Sequence, residues 1–158
     1  RGDATEKVVR EIKDKNVLHL ATHGTIDSTD CQKSFITLSP SDSYDGRLTL
    51  AEIYGLKWTV DLVFLSACNT GRGEKMTGDE VDSLGNAFIA GGAKTVISTL
   101  WAVDDQSTGL LSEGFYRHLK EGKGKAESMR LAQLEVMKME RYQAPFYWAA
   151  FILTGDWK

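Results

Sequence analysis

The stretch DLVFLSACNTG, residues 61–71, decides how this 158-residue chain reads. Leu62 to Leu65 is apolar without a break, the pattern of a strand covered on both faces. It then runs straight into a cysteine, an asparagine and a glycine. Working outward, VLHLATHG (17–24) repeats the same grammar: a short apolar strand, Val17 to Ala21, ending in Thr22-His23-Gly24. Downstream, Lys94 to Leu100 is a third buried strand, and Tyr147 to Leu153 reads as a fourth.

Between these strands the period changes from two to 3.6. An amphipathic helix is predicted over 3–15, with Ala4, Val8 and Ile12 inward and Asp3 or Thr5 as cap. A short helix is predicted over Thr49–Tyr54, with Thr49 and Glu52 as a capping box. Asp82–Ala90 places Leu84, Ala87 and Phe88 on one face and is stopped by Gly91-Gly92. Two longer helices follow over 104–120 and 125–140, the second with Met129, Ala132, Leu134, Val136 and Met137 as core positions. The stretch 24–33 reads as a polar loop carrying Cys31, Phe35–Leu38 as an edge strand or hairpin arm, 41–46 as a turn, and 68–80 as a glycine-dense loop. Strands alternating with helices predict an α/β fold, a three-layer αβα sandwich with a mainly parallel sheet.

Composition removes several function classes. The formal net charge is −3, and the one dense basic patch, Lys120 to Lys125, is broken by Glu121; no nucleic-acid footprint is expected. No apolar run approaches the roughly 18–20 residues of a membrane span, and the charged N-terminus does not read as a signal peptide. Cys31 and Cys68 lie far apart in dissimilar contexts, so neither a disulfide framework nor a metal site is expected, and a reducing cytoplasm suits both thiols. The chain reads as one domain over 1–158. It starts without Met, which reads as a piece of a longer protein.

In a parallel sheet, function gathers in the loops after the C-terminal strand ends. If the strands at 17–21 and 62–67 are neighbours, His23 and Cys68 emerge side by side. A thiol attacks a carbonyl as thiolate and needs a base to take its proton; histidine does this near neutral pH. The amides of Gly24 and Cys68 are then placed to hold a developing oxyanion. Spacing alone leaves a packed thiol and a merely hydrogen-bonded imidazole open. His19, four strand residues from His23 and so about 13 Å away, reads as structural and as a poor co-ligand for any metal. His118 reads as a solvated residue near a helix C-terminus. GRGEK lacks the lysine-serine/threonine pairing of a phosphate loop, so no nucleotide is expected.

HLATHG (19–24) and LSACNTG (65–71) together resemble the motifs of the CHAT family, caspase-like domains related to separase and often attached to tetratricopeptide repeats. RGDATEKVV, GDEVDSLGNAFIAGGAKTVISTLWAVDDQST (78–108) and YWAAFILTGD (147–156) extend the resemblance over nearly the whole chain. It implies a caspase-like cysteine peptidase, with His23 as base, Cys68 as nucleophile, Gly24 as oxyanion donor and no cofactor. It further implies a protein or peptide substrate, an intracellular setting and regulation by a repeat domain or partner protein. Members usually carry a strand-rich segment before the ATEK-like helix; this chain begins after it, so the resemblance implies a sheet edge completed from elsewhere.

The loop LWAVDDQST is similar to the separase segment whose aspartate receives a basic P1 side chain. By position Asp105 is that acid, with Asp104 beside it. Asp104 suits the helix cap, which leaves Asp105 for bidentate pairing with arginine. Trp101 either walls this pocket or belongs to the core. The 72–80 loop reads as a substrate-contacting or a plain solvated loop. Two other functions remain open on these residues: an inert caspase-fold interaction module, and another acyl-transfer hydrolase.

Overall fold

The computed structural model describes residues 4–27, 30–66, 68–69 and 78–158, the side chains of 68–69 and 78–83 aside. Its frame is a four-stranded sheet built from β1 (Lys15–Leu20), β5 (Val60–Leu65), β7 (Ala93–Thr99) and β8 (Phe151–Gly155) in the order β1-β5-β7-β8. The first three run parallel and β8 closes the edge antiparallel. The alternation of side chains along a strand divides the apolar run of β5 between two cores. Val63 and Leu65 join Leu18, Leu20, Leu84, Ala87, Phe88 and Val96 on one face. Leu62 and Phe64 join Ile97, Leu111, Phe115, Met129, Ala132 and Val136 on the other. The sandwich is therefore αβα.

The helices follow the same logic. On the first face lie α1 (Glu6–Arg10), α2 (Leu50–Tyr54) and α3 (Gly78–Ala90); on the second, α4 (Asp105–Lys120) and α5 (Lys125–Lys138). Around α2 the capping box forms as read: Thr49 accepts from the Glu52 amide at 3.3 Å, and Glu52 accepts from the Thr49 amide at 2.9 Å. Asp104 caps α4 by accepting from the Ser107 amide at 2.9 Å.

A second, smaller sheet sits beyond the ends of β1 and β5. It consists of β4 (Arg47–Thr49), β3 (Phe35–Thr37), β2 (His23–Thr25) and β6 (Cys68–Asn69), in that order. Residues 23–25 and 68–69 are thus strands where the sequence read as loop. Of the two readings of β3 the hairpin arm holds, since it pairs antiparallel with both β2 and β4 and is not an edge. Strands of two or three residues carry no periodicity, and only their neighbours define them. Of the stretch read as a glycine-dense loop, residues 70–77 lie outside the described residues, as does Asp3.

Three other expectations change. The helix predicted over 3–15 spans only Glu6–Arg10 and buries Glu6 and Val9, whereas Val8 is exposed. Its face is set by a polar anchor: buried Glu6 pairs with Arg10 at 2.6 Å and accepts from the Gly46 amide at 3.0 Å. The last strand begins at Phe151 because Pro145 opens a 3-10 turn over Pro145–Tyr147, pinned by Trp101 donating to the Phe146 carbonyl at 3.0 Å. His118 is buried, not solvated: its ring bridges Glu121 at 3.2 Å and Glu135 at 2.9 Å, joining α4 to α5.

Candidate active site

The two sheets meet where β1 and β5 end. Leu20 and Leu65 are partners in the core sheet, and the Ser66 amide donates to the Leu20 carbonyl at 3.1 Å, so the two chains leave it in step. Thr22 fixes the turn between them by donating its hydroxyl to the Thr37 carbonyl. The chains then pair again as β2 and β6, still parallel, with His23 opposite Cys68 and Gly24 opposite Asn69. Neighbouring strands lie roughly 4.8 Å apart, so the backbones of the histidine and cysteine are adjacent. The position of the Cys68 sulfur lies outside the described residues.

His23 is exposed, while Gly24 is buried in the middle of β2, flanked by Ile36 on β3 and Asn69 on β6. Cys31, the other thiol, is exposed in a 3-10 turn that joins β2 to β3.

Beside His23 opens a cleft of about 720 Å³. One wall carries His19, Thr22 and His23; the other is α4, which contributes Asp105, Gly109 and Ser112. The two aspartates divide as their chemistry suggests. Asp104 is occupied by the cap, and Asp105 is exposed at the cleft. Trp101 packs against the α4–α5 core and does not line the cleft, where Val103 stands instead.

His19 is structural and also faces the cleft. Its ring stacks on Phe64, with centroids 4.7 Å apart, and its Nδ1 shares a 2.9 Å hydrogen bond with the Tyr116 hydroxyl. Burial acts on both groups, lowering the imidazole below its ordinary value and pushing the phenol up to about 12. Both are therefore neutral near pH 7, since desolvation penalises whichever form is charged. Among the described residues no group of three His, Cys, Asp or Glu side chains converges as a metal site.

A family model for the CHAT domain matches residues 1–156. The chain belongs to the CHAT domain family. Tetratricopeptide repeat protein 28 of Mus musculus and its namesake of Homo sapiens are each 32% identical to this CHAT domain over 109 residues. Those 109 residues are 69% of this chain but 4% of each relative, so the domain corresponds to a small part of a very long protein. The αβα sandwich with its mainly parallel sheet is the caspase-like architecture expected of the family. No helix among the described residues is long and apolar enough to cross a membrane.

What sequence reasoning missed is the α4 wall. Gly109 and Ser112 carry no motif, and their relevance comes only from the helix face they share with Asp105. That spacing, four and seven residues on from Asp105, was the one available signal.

Proposed function

We propose that this CHAT domain is a cysteine endopeptidase that cleaves protein or peptide substrates after a basic residue, with Cys68 as nucleophile and His23 as base. The observation that carries this reading is the strand register that sets His23 opposite Cys68 at the sheet rim. The cleft that His23 shares with Asp105 supports it further.

In the proposed reaction His23 takes the thiol proton and the Cys68 sulfur attacks the scissile carbonyl carbon. The carbonyl electron pair moves to oxygen, where the amides of Gly24 and Cys68 stabilise it. As the intermediate collapses, the C–N bond breaks and His23 returns its proton to the leaving amine. Water, deprotonated by His23, then attacks the thioester carbon, the C–S bond breaks to release the carboxylic acid product, and the imidazolium returns its proton to the Cys68 sulfur. Asp105 holds the basic side chain before the cut, which pairs most favourably as a bidentate guanidinium; Asp104, spent on the cap, supports Asp105 through its position alone. The relatives are tetratricopeptide repeat proteins by name, and we take a repeat segment or partner protein to govern access to the site.

A peptide chloromethyl ketone ending in arginine tests the reading. It is expected to alkylate Cys68, with labelling abolished in Cys68→Ala and reduced to background in His23→Ala, as read by peptide mass spectrometry. Alkylation of Cys31 instead, or none at Cys68, overturns the peptidase and leaves an inert interaction module. Turnover of a simple thioester with no cleavage of any basic peptide points to a different acyl-transfer hydrolase.

A further inference from the structure

Helix α4 contains two interior glycines, Gly109 and Gly114, and packing accounts for only one of them. A Cβ on Gly114 would meet Glu135 Oε2 at 3.1 Å and Ala132 Cβ at 3.3 Å, so glycine there lets α4 and α5 approach. A Cβ on Gly109 would meet nothing within 4 Å. The space beside it is the cleft, whose wall it forms together with Asp105 and Ser112. Glycine inside a helix is disfavoured relative to alanine because it leaves more chain entropy to be lost. At position 109 the fold gains no contact in return.

The groups around it are acceptors. Asp105 presents a carboxylate. The Ser112 hydroxyl donates to the Gly109 carbonyl at 3.0 Å, which leaves its oxygen lone pairs free. A guanidinium brings five N–H donors and no acceptor, so such a wall matches it well. The facing wall carries His19, whose ring its desolvation keeps neutral, and His23.

We infer that Gly109 is a specificity-determining residue: its bare Cα sets the bore of the cleft, so that an arginine-length cationic side chain lies along α4 between Asp105 and Ser112. The inference rests on the peptidase reading for its purpose but not for its test. Any side chain at 109 projects into that bore, and the α4 backbone at this point is the floor on which the aliphatic stem lies.

The first measurement is binding of N-acetyl-arginine amide, followed through backbone amide resonances, in the wild-type chain and in Gly109→Ala and Gly109→Leu. Shifts at 105, 109 and 112 are expected in the wild type. Binding weakens about tenfold or more in Gly109→Leu, the scale on which a pocket senses a change of one or a few methylenes. The same substitution is expected to lower the ratio of Cys68 alkylation by arginine-ending over alanine-ending ketones by a similar factor. Gly109→Ala removes a helix-interior glycine without a clash and is expected to raise the melting temperature by about 2–4 °C, which separates the cleft effect from misfolding. Unaltered binding in Gly109→Leu overturns the inference, as does absence of binding in the wild type, even where Cys68 is alkylated and the peptidase reading stands. Binding that Gly109→Leu weakens, in a chain whose Cys68 is never alkylated, upholds the cleft and sinks the peptidase.

Discussion

The two sheets of this domain divide the labour. The core sheet has strands of five to seven residues. Its central pair, β5 and β7, is almost wholly buried, with Val63, Phe64, Val96 and Ile97 each 0% exposed, whereas the edge strand β1 buries only Leu18 and Leu20. The rim sheet has strands of two or three residues, and its His23 is exposed. Burying one large apolar side chain contributes about 1.5–3 kcal/mol; the core sheet supplies most of these, and the rim adds Ile36 and Leu48, both 0% exposed, to the first-face core. The rim sheet holds its geometry through the core sheet, since β2 and β6 are continuations of β1 and β5 that leave in register. Strands too short to persist alone can therefore keep a side chain such as that of His23 open to solvent.

The sharpest way to break this division is to compare one residue from each sheet. Phe64 packs against His19, Phe115, Tyr116 and Phe151. Phe64→Ala is expected to cost about 3–5 kcal/mol in chemical denaturation. His23→Ala is expected to change stability by no more than about 0.5 kcal/mol, as exposed substitutions do. Comparable losses in the two variants would mean that the rim is part of the folding core.

A smaller effect tests what fastens the rim to α1. Gly46, one residue before β4, has φ of +84°, and a Cβ there would meet the Leu38 carbonyl oxygen at 2.6 Å. Its amide donates to buried Glu6, whose other oxygen holds Arg10, and Arg10 reaches Glu52 and lies over the Tyr44 ring. Gly46→Ala is expected to cost about 1–3 kcal/mol, the usual range for a left-handed conformation imposed on a side chain. The loss should appear first as faster amide exchange in β3 and β4 while β5 and β7 remain protected. Uniform loss of protection would show the two sheets unfolding as one unit.

The same division governs which parts of the molecule are legible in its sequence. The core strands announce themselves because an all-apolar run as short as Leu62–Leu65, bounded by polar residues, suits a strand covered on both faces. Thr49 with Glu52 and Asp104 with Ser107 follow local capping chemistry. His23 and Cys68 stand out by residue type at matching strand ends. The pairing of β2 with β6 is not legible, because two residues have no period and their register is inherited from β1 and β5. The cleft wall at Gly109 and Ser112 arises from α4 facing His19 and His23 across the cleft, a tertiary fact with no local trace. His118 and Pro145 mislead for opposite reasons: a polar residue finds two carboxylates to be buried with, and an aromatic, strand-like run is turned by one proline.

The finest probe lies at the seam, where α2 joins β4 of the rim to β5 of the core. Partial burial pushes the Glu52 carboxyl up, but the Thr49 amide and hydroxyl together with the Arg10 guanidinium outweigh it and hold the group below the usual carboxylate range. A carboxylate whose folded pKa is depressed favours the folded state at pH values above its unfolded pKa, near 4.3 for glutamate. That contribution is lost as the pH falls through the lower, folded value, because the unfolded chain takes up the proton first. Glu52→Gln keeps a side-chain carbonyl for the cap but cannot titrate. Its stability is therefore expected to fall less steeply than the wild type's between about pH 5 and pH 3. The difference should stay under about 1 kcal/mol, since Glu52's side chain is 41% exposed and solvent screens its partner. Identical slopes would place the acid-sensitive link elsewhere, with Glu135 and Asp156, both also held below their ordinary values, as the next carboxylates to neutralise.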